Sequence, residues 1–258
     1  MNNIAILASG KLDGEFSKRS IKSMRDNLTE SLLKQEMMVD IFFHTDDKDC
    51  LWIRNIFKNY KAVNINFFYN PYFLEKIKKD ETLWSNTLYK HVQYFRVGDL
   101  YKYVKDFENK NNVKYDWFIK SRTDIDYGEH PVPNTNLWKA NKVMVRARKH
   151  KQKLRESQTS FQHYFRPGES TIYDDQFFIC NKNISDDVFS LRAGDISLAD
   201  SLEDHRGFRW GEMQQTDMWK SNQVKCHITG FNVHLEKLNE KWGCDQGLGD
   251  PKYIHNYI

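Results

Sequence analysis

Arg122-Thr123-Asp124-Ile125-Asp126 places two carboxylates one residue apart, beside a guanidinium and directly behind an apolar run. Carboxylates that close, at the end of a buried segment, repel each other and lose hydration. A divalent cation relieves both costs. Hard cations such as Mg²⁺ or Mn²⁺ take carboxylate oxygens and keep positions open for water and phosphate. The chemistry implied is a metal held by Asp124 and Asp126 that in turn holds a diphosphate. The same residues would also serve as a polar turn after a strand, where Asp is common. Arg122 either binds a phosphate through charge-assisted hydrogen bonds or pairs with one of the aspartates.

A second acidic cluster is Asp174-Asp175-Gln176. A carboxylate here could act as general base toward an acceptor hydroxyl within hydrogen-bond reach; the alternative is a helix N-cap, a position Asp fills well. Gln176 could hydrogen-bond a sugar hydroxyl. Ser9-Gly10-Lys11 follows the first apolar run, and a glycine there lets a ligand approach the backbone closely. It is neither G-x-G-x-x-G nor a P-loop, which speaks against dinucleotide binding and ATP hydrolysis. Arg19 either faces the same crevice or is a surface arginine. The basic stretch from Arg146 to Gly168 reads as a lid over a leaving group or as a solvated loop, with Lys149 or Arg166 reaching the site in the first case. No histidines show H-x-x-x-H spacing. His255 is a candidate to complete the metal site. There is no G-x-S-x-G, so covalent hydrolase chemistry lacks support.

The elements that must position these groups alternate in the first half. Ile4–Ala8 reads as a buried parallel strand. Ser17–Gln35 carries Ile21, Met24, Leu28 and Leu32 at helical spacing. Val39–Thr45 is the next strand, which completes a β-α-β unit. Leu51–Tyr60 is a short helix, Val63–Tyr69 a third strand, and Tyr72–Lys79 another helix. Trp84–Asn109 is a long helix in which Gly98 is a possible kink. Tyr115–Lys120 is the strand that delivers the Asp pair. Later elements are strands at 142–146 and 224–228 and helices at 185–191 and 213–222, with Tyr173–Cys180 an acidic pair beside an apolar run. The tail beyond Trp242 is irregular. In open α/β sheets ligands sit beyond the carboxyl ends of the strands, and Ser9-Gly10, Thr45 and Arg122–Asp126 all lie at such ends.

The chain has 258 residues, 40% apolar and 14% aromatic, enough for a sizeable core. A net charge of +4 with both signs mixed does not fit a nucleic-acid binder. Four scattered cysteines without C-x-x-C suggest an intracellular protein with free thiols. No signal peptide and no membrane-spanning run is evident, so the expected location is the cytoplasm, that of the host if the protein is viral.

Taken in order, I-A-I-L-A-S-G, D-I-F-F-H-T, a long aromatic helix, K-Y-D-W-F-I-K-S-R-T-D-I-D and D-D-Q-F-F-I resemble the nucleotide-sugar-dependent glycosyltransferases of GT-A fold, in particular small viral and bacterial enzymes that decorate glycans, capsules or lipopolysaccharide. The resemblance spans roughly residues 4–230 as ordered blocks. It implies an α/β fold: a single GT-A-like (Rossmann-like) domain over 1–258 with a mostly parallel central sheet flanked by helices. The donor-binding half would be about 1–127 and the acceptor-side half about 128–258. It implies a hexosyl- or deoxyhexosyl-transferase moving sugar from a nucleotide-diphosphate sugar to a glycan or glycoconjugate hydroxyl, with Mn²⁺ or Mg²⁺ as cofactor and with inversion favoured. Ala8, Ser9, Gly10, Arg19, Thr45, Arg122 and Asp124 would line the nucleotide-sugar site. Asp124 and Asp126 would hold the metal. Asp175, with Asp174 in reserve, would be the base. The competing classes are a metal-dependent phosphohydrolase or nuclease and a non-catalytic carbohydrate or anionic-polymer binding module.

Overall fold

Continuous apolar runs in the first half produce strands buried on both faces, and in parallel sheets both faces must be covered. A computed structural model describes residues 2–10, 12, 14–45, 50–70, 86–150, 170–189, 219 and 223–235, with 86–95, 147–150, 170–175 and 234–235 described by backbone alone. Strand β1 (Asn3–Ser9) leads into helix α1 (Gly14–Ser23), a π-helical turn (Met24–Thr29) and α2 (Glu30–Leu33). Then come β2 (Met38–Thr45), α3 (Leu51–Phe57), β3 (Val63–Tyr69) and the long α4 (Asn86–Asn111), which continues through Gly98. Next are β4 (Trp117–Arg122), β5 (Ile125–Tyr127), β6 (Val143–His150), β7 (Ser170–Asn181), α5 (Lys182–Phe189), β8 (Cys226–Ile228) and β9 (Val233–Leu235).

The main sheet has the order β3-β2-β1-β4-β7-β6-β8. Its pairs are parallel except those made by β7, which runs against both β4 and β6. The expected α/β fold with a mostly parallel central sheet flanked by helices is therefore the observed one. Alternate residues feed two cores. Ile4, Ile6, Ile41, Phe43, Trp117 and Ile119 pack with Ile21, Met24 and Leu28 on the α1 side. Ala5, Leu7, Phe42 and Phe118 pack with Val97, Leu100 and Val104 of α4 on the other.

Several boundaries differ from expectation. The delivering strand starts at Trp117, because Tyr115 is spent on tertiary bonds: its N–H donates to Glu108 Oε1 at 2.9 Å and its hydroxyl to Asp40 Oδ2. Strand β6 runs to His150, so the first residues of the basic stretch are ladder, not loop. A second, two-stranded sheet, β5 with β9, was not foreseen. The expected helices at 72–79 and 213–222 (Trp219 apart), the basic residues 151–168, the tail and His255 lie outside the described residues. No helix among the described residues is long and apolar enough to cross a membrane.

One polar residue tests the burial. His44, near the end of β2, is fully buried with its ring edge-on to Phe68 at 5.1 Å between centroids. Burial, reinforced by the charge of Arg96, pushes its pKa down to about 3. The folded protein thus holds a neutral imidazole, while the unfolded chain protonates it near pH 6.5. The resulting stability is complete above about pH 6.5 and is lost as pH falls from there toward about 3. In urea unfolding at stepped pH, the wild type should lose stability on acidification more steeply than His44→Asn, by close to one proton's worth, about 1.4 kcal/mol per pH unit. Parallel curves would show that His44 does not titrate as described.

Candidate functional site

The strand order turns back at β1. The chain steps outward from β1 to β2 to β3, and β4 then inserts on the other side of β1. Such a switch opens a crevice at the carboxyl ends of the two central strands. Register places Ser9 directly opposite Arg122. Gly10 follows with φ +147°, a conformation that favours glycine, and a Cβ there would overlap Thr123 Oγ1. Thr123 N–H reaches Ser9 O at 3.4 Å. The segment after β1 therefore lies against the turn that carries the aspartates. Ser9 is 2% exposed, and its hydroxyl has no hydrogen-bond partner among the described residues. Thr45 is buried at the end of β2, its hydroxyl 3.4 Å from Cys50 Sγ. Ala8 is fully buried in the α1-side core. Arg19 is exposed, with its guanidinium over the Phe16 ring at 5.1 Å.

Of the two alternatives for Arg122, the structure shows the ion pair. Its Nε and Nη2 grip both oxygens of Asp124, at 2.8 and 2.7 Å. Both side chains keep about a fifth to a quarter of their surface exposed, 24% and 20%. The pair is bidentate and largely buried, a geometry stronger than that of an exposed surface pair. Asp126 is half-buried in β5. Between them in influence is Tyr127, whose hydroxyl meets Ser121 Oγ at the end of β4. Its pKa is raised, by burial first and further by the charges of Asp124 and Asp126 against the opposing Ser121 bond. The two carboxylates and this buried hydroxyl share one electrostatic environment.

Strand β5 pairs antiparallel with β9 so that Asp126 stands opposite His234. Gly128 N–H donates to Asn232 O at 2.9 Å. Antiparallel ladders alternate, so Asp126 and His234 form the hydrogen-bonded pair of this ladder. Sequence reasoning passed over His234 in favour of His255. The available signal was the alternation Phe231, Val233, Leu235, a half-buried strand with His234 on its other phase. Among the described residues no three His, Cys, Asp or Glu side chains form a ready-made metal cluster.

The second acidic pair is also at this end. Val145 pairs with Phe178 and Ala147 with Tyr173, so two steps along β6 match five along β7. The bulge in β7 contains Asp174, Asp175 and Gln176. The β4–β7 ladder ends at Lys120 opposite Phe178, so the bulge lies just past it, at the carboxyl end of β4. The N-cap alternative is overturned: the pair is inside a strand, and α5 begins only at Lys182. Gln176 is 4% exposed; its carbonyl accepts from Lys120 Nζ at 3.1 Å and its Oε1 from Arg146 Nη2 at 3.4 Å. Lys120 and Arg146 are buried cations that sequence reasoning missed or placed in a loop. Burying a cation is expensive unless it is well bonded. Arg146 also donates to Val233 O at 2.6 Å, which ties β9 to the bulge. Lys149 stands opposite Thr171 in β6, and Arg166 lies outside the described residues.

No family model matches the chain, and no curated protein matches it in sequence. Solved structures do. The apo form of mouse xyloside xylosyltransferase 1 is similar with a TM-score of 0.49 and 13% identity, over 88% of this chain and 84% of that one. Galactosyltransferase LgtC in complex with donor and acceptor sugar analogs gives 0.47 and 13%, over 84% and 70%. The apo glycosyltransferase GlyE of Streptococcus pneumoniae TIGR4 gives 0.44 and 13%, over 88% of this chain and 45% of that one.

Proposed function

We propose that this protein is a metal-dependent glycosyltransferase of GT-A type that moves a sugar from a nucleotide-diphosphate donor to a hydroxyl of a glycan or glycoconjugate. The observation that carries it is the convergence of Ser9-Gly10 and Arg122–Asp126 on the β1/β4 switch, with the bulge of Asp174-Asp175 beside them. The donor half is about 1–127 and the acceptor half about 128–258.

The donor set fits a hard cation: Asp124 and Asp126 supply carboxylate oxygens, the donors such a cation prefers. Bound there, Mn²⁺ or Mg²⁺ would offset charge on the departing diphosphate, as Lewis acids do. Arg122, forked on Asp124, would meet a phosphate oxygen of the donor through charge-assisted hydrogen bonds. Gly10 permits the nucleotide to approach the backbone, and the buried Ser9 hydroxyl offers an unused hydrogen bond there. Asp175, or Asp174 in its place, takes the proton of the acceptor hydroxyl as the bond to the sugar forms. This assignment makes the reaction inverting, with a single displacement and the base facing the leaving group across the sugar ring.

Two outcomes test these roles. UDP, GDP and dTDP with Mn²⁺ are titrated by calorimetry and thermal shift. One of them should stabilise the wild type, and Asp126→Ala should weaken its binding by at least about tenfold. Hydrolysis of a phosphodiester with no nucleotide preference would instead favour a phosphohydrolase. Asp175→Asn should bind the same nucleotide within about twofold while turnover falls by about 10²–10⁴. Unchanged turnover in both Asp175→Asn and Asp174→Asn would remove the base from this bulge.

A further inference from the structure

Strand β5 has three residues, too few to hold a position by its own pairing. One edge is paired with β9. The other edge faces α1 and the π-helical turn, and three polar side chains of that helical run satisfy it. Ser20 Oγ donates to Ile125 O. Tyr127 N–H donates to Ser23 Oγ at 3.1 Å. Asn27 Nδ2 donates to Tyr127 O. Ser23 Oγ also donates to Ser20 O at 3.1 Å, so its hydroxyl both donates and accepts.

Nothing in the helix itself asks for these residues. Ser and Asn compete with helical hydrogen bonds and are neutral to unfavourable in helix interiors. Ser20 is fully buried, where an apolar residue would serve packing better. The three stand at i, i+3 and i+7, and the π-helical turn, Met24–Thr29, begins directly after Ser23 and contains Asn27. Such turns recur at functional sites. The ladder is aimed at the residues that flank Asp126 on either side, Ile125 and Tyr127.

We propose that Ser20, Ser23 and Asn27 are positioning residues that set the spacing of the Asp124 and Asp126 carboxylates. They act as a polar rail that replaces the missing neighbour strand of β5. The inference rests on the proposed metal site. The rail fixes the backbone on either side of Asp126, while the Tyr127 hydroxyl on Ser121 and Gly10 against Thr123 fix the turn before it. Residues that orient metal ligands are worth about 10–100-fold in metal affinity.

The test is titration of MnCl₂ into the full chain, without nucleotide, followed by calorimetry. Asn27→Ala and Ser23→Ala should each weaken Mn²⁺ binding about tenfold. Ser23→Thr, which keeps the hydroxyl, should stay within about twofold of wild type. Asn64→Ala is the stability control. It removes the 2.7 Å bond to Asp40 in β2 and should lower the thermal midpoint without changing Mn²⁺ affinity. If Asn27→Ala and Ser23→Ala bind Mn²⁺ as the wild type does, the rail is structural only and the inference falls while the metal site stands. If Asn64→Ala weakens Mn²⁺ binding equally, the loss reflects stability and the inference also falls. If the wild type binds no Mn²⁺, the metal site itself is wrong and the inference goes with it.

Discussion

Parallel pairing of β1 with β4 is the constraint from which the rest of the site follows. Parallel neighbours bring the carboxyl ends of both strands to the same edge, so Ser9 meets Arg122 although 113 positions separate them. The approach is close enough that residue 10 has no room for a side chain against Thr123. A one-residue slip would turn Phe118 and Ile119 to the wrong cores. The apolar alternation on both faces therefore sets the place of the carboxylates as firmly as any contact within the site.

The charges at this edge are arranged in two tiers. Arg122 and Asp124 keep partial exposure in a bidentate pair. Lys120 and Arg146 are buried, and their bonds run to Gln176 and Val233, on the strands that carry the second acidic pair and the His234 segment. Leaving a buried polar group unsatisfied costs about 1–3 kcal/mol, more for a charged one. Shifting the β7 bulge or β9 would break these bonds. The buried cations thus hold the frame around the Arg122–Asp124 pair.

Much of the donor half was legible because its signals are long. Ile4–Ala8, Ile41–Phe43 and Trp117–Ile119 are uninterrupted apolar runs, and the Asp pair behind the last of them stands where a strand must end. What escaped notice has a common cause. Three-residue strands such as Ile125–Tyr127 and Val233–Leu235 carry almost no period, so their pairing, and with it the place of His234, could not be read. Nothing in the sequence marks Lys120 or Arg146 as buried cations, because charge ordinarily means exposure; only tertiary bonds from distant segments make their burial tolerable. For Asp174 and Asp175 a helix cap stayed open beside the role of base, because the bulge that contains them is a relation between two strands and leaves no local mark.

The bulge also clarifies how two acidic pairs can share one crevice without cancelling each other's use. Strand β7 runs antiparallel to β4, so it enters the crevice from outside and reaches the ladder only at Phe178. Its extra residues are added at that entry. The chain ahead of Phe178 therefore has slack where β4 has ended, and the Asp174-Asp175 segment is placed without disturbing the core residues Phe177, Phe178 and Ile179. Asp124 and Asp126, by contrast, follow β4 directly through a short turn with β5 railed on both edges. One pair sits on a tightly held turn, as metal ligands require; the other sits on a bulge, the device that re-aims a side chain next to a reacting centre. The difference in backbone, more than the difference in residue type, argues for giving the leaving group to the first pair and the acceptor to the second.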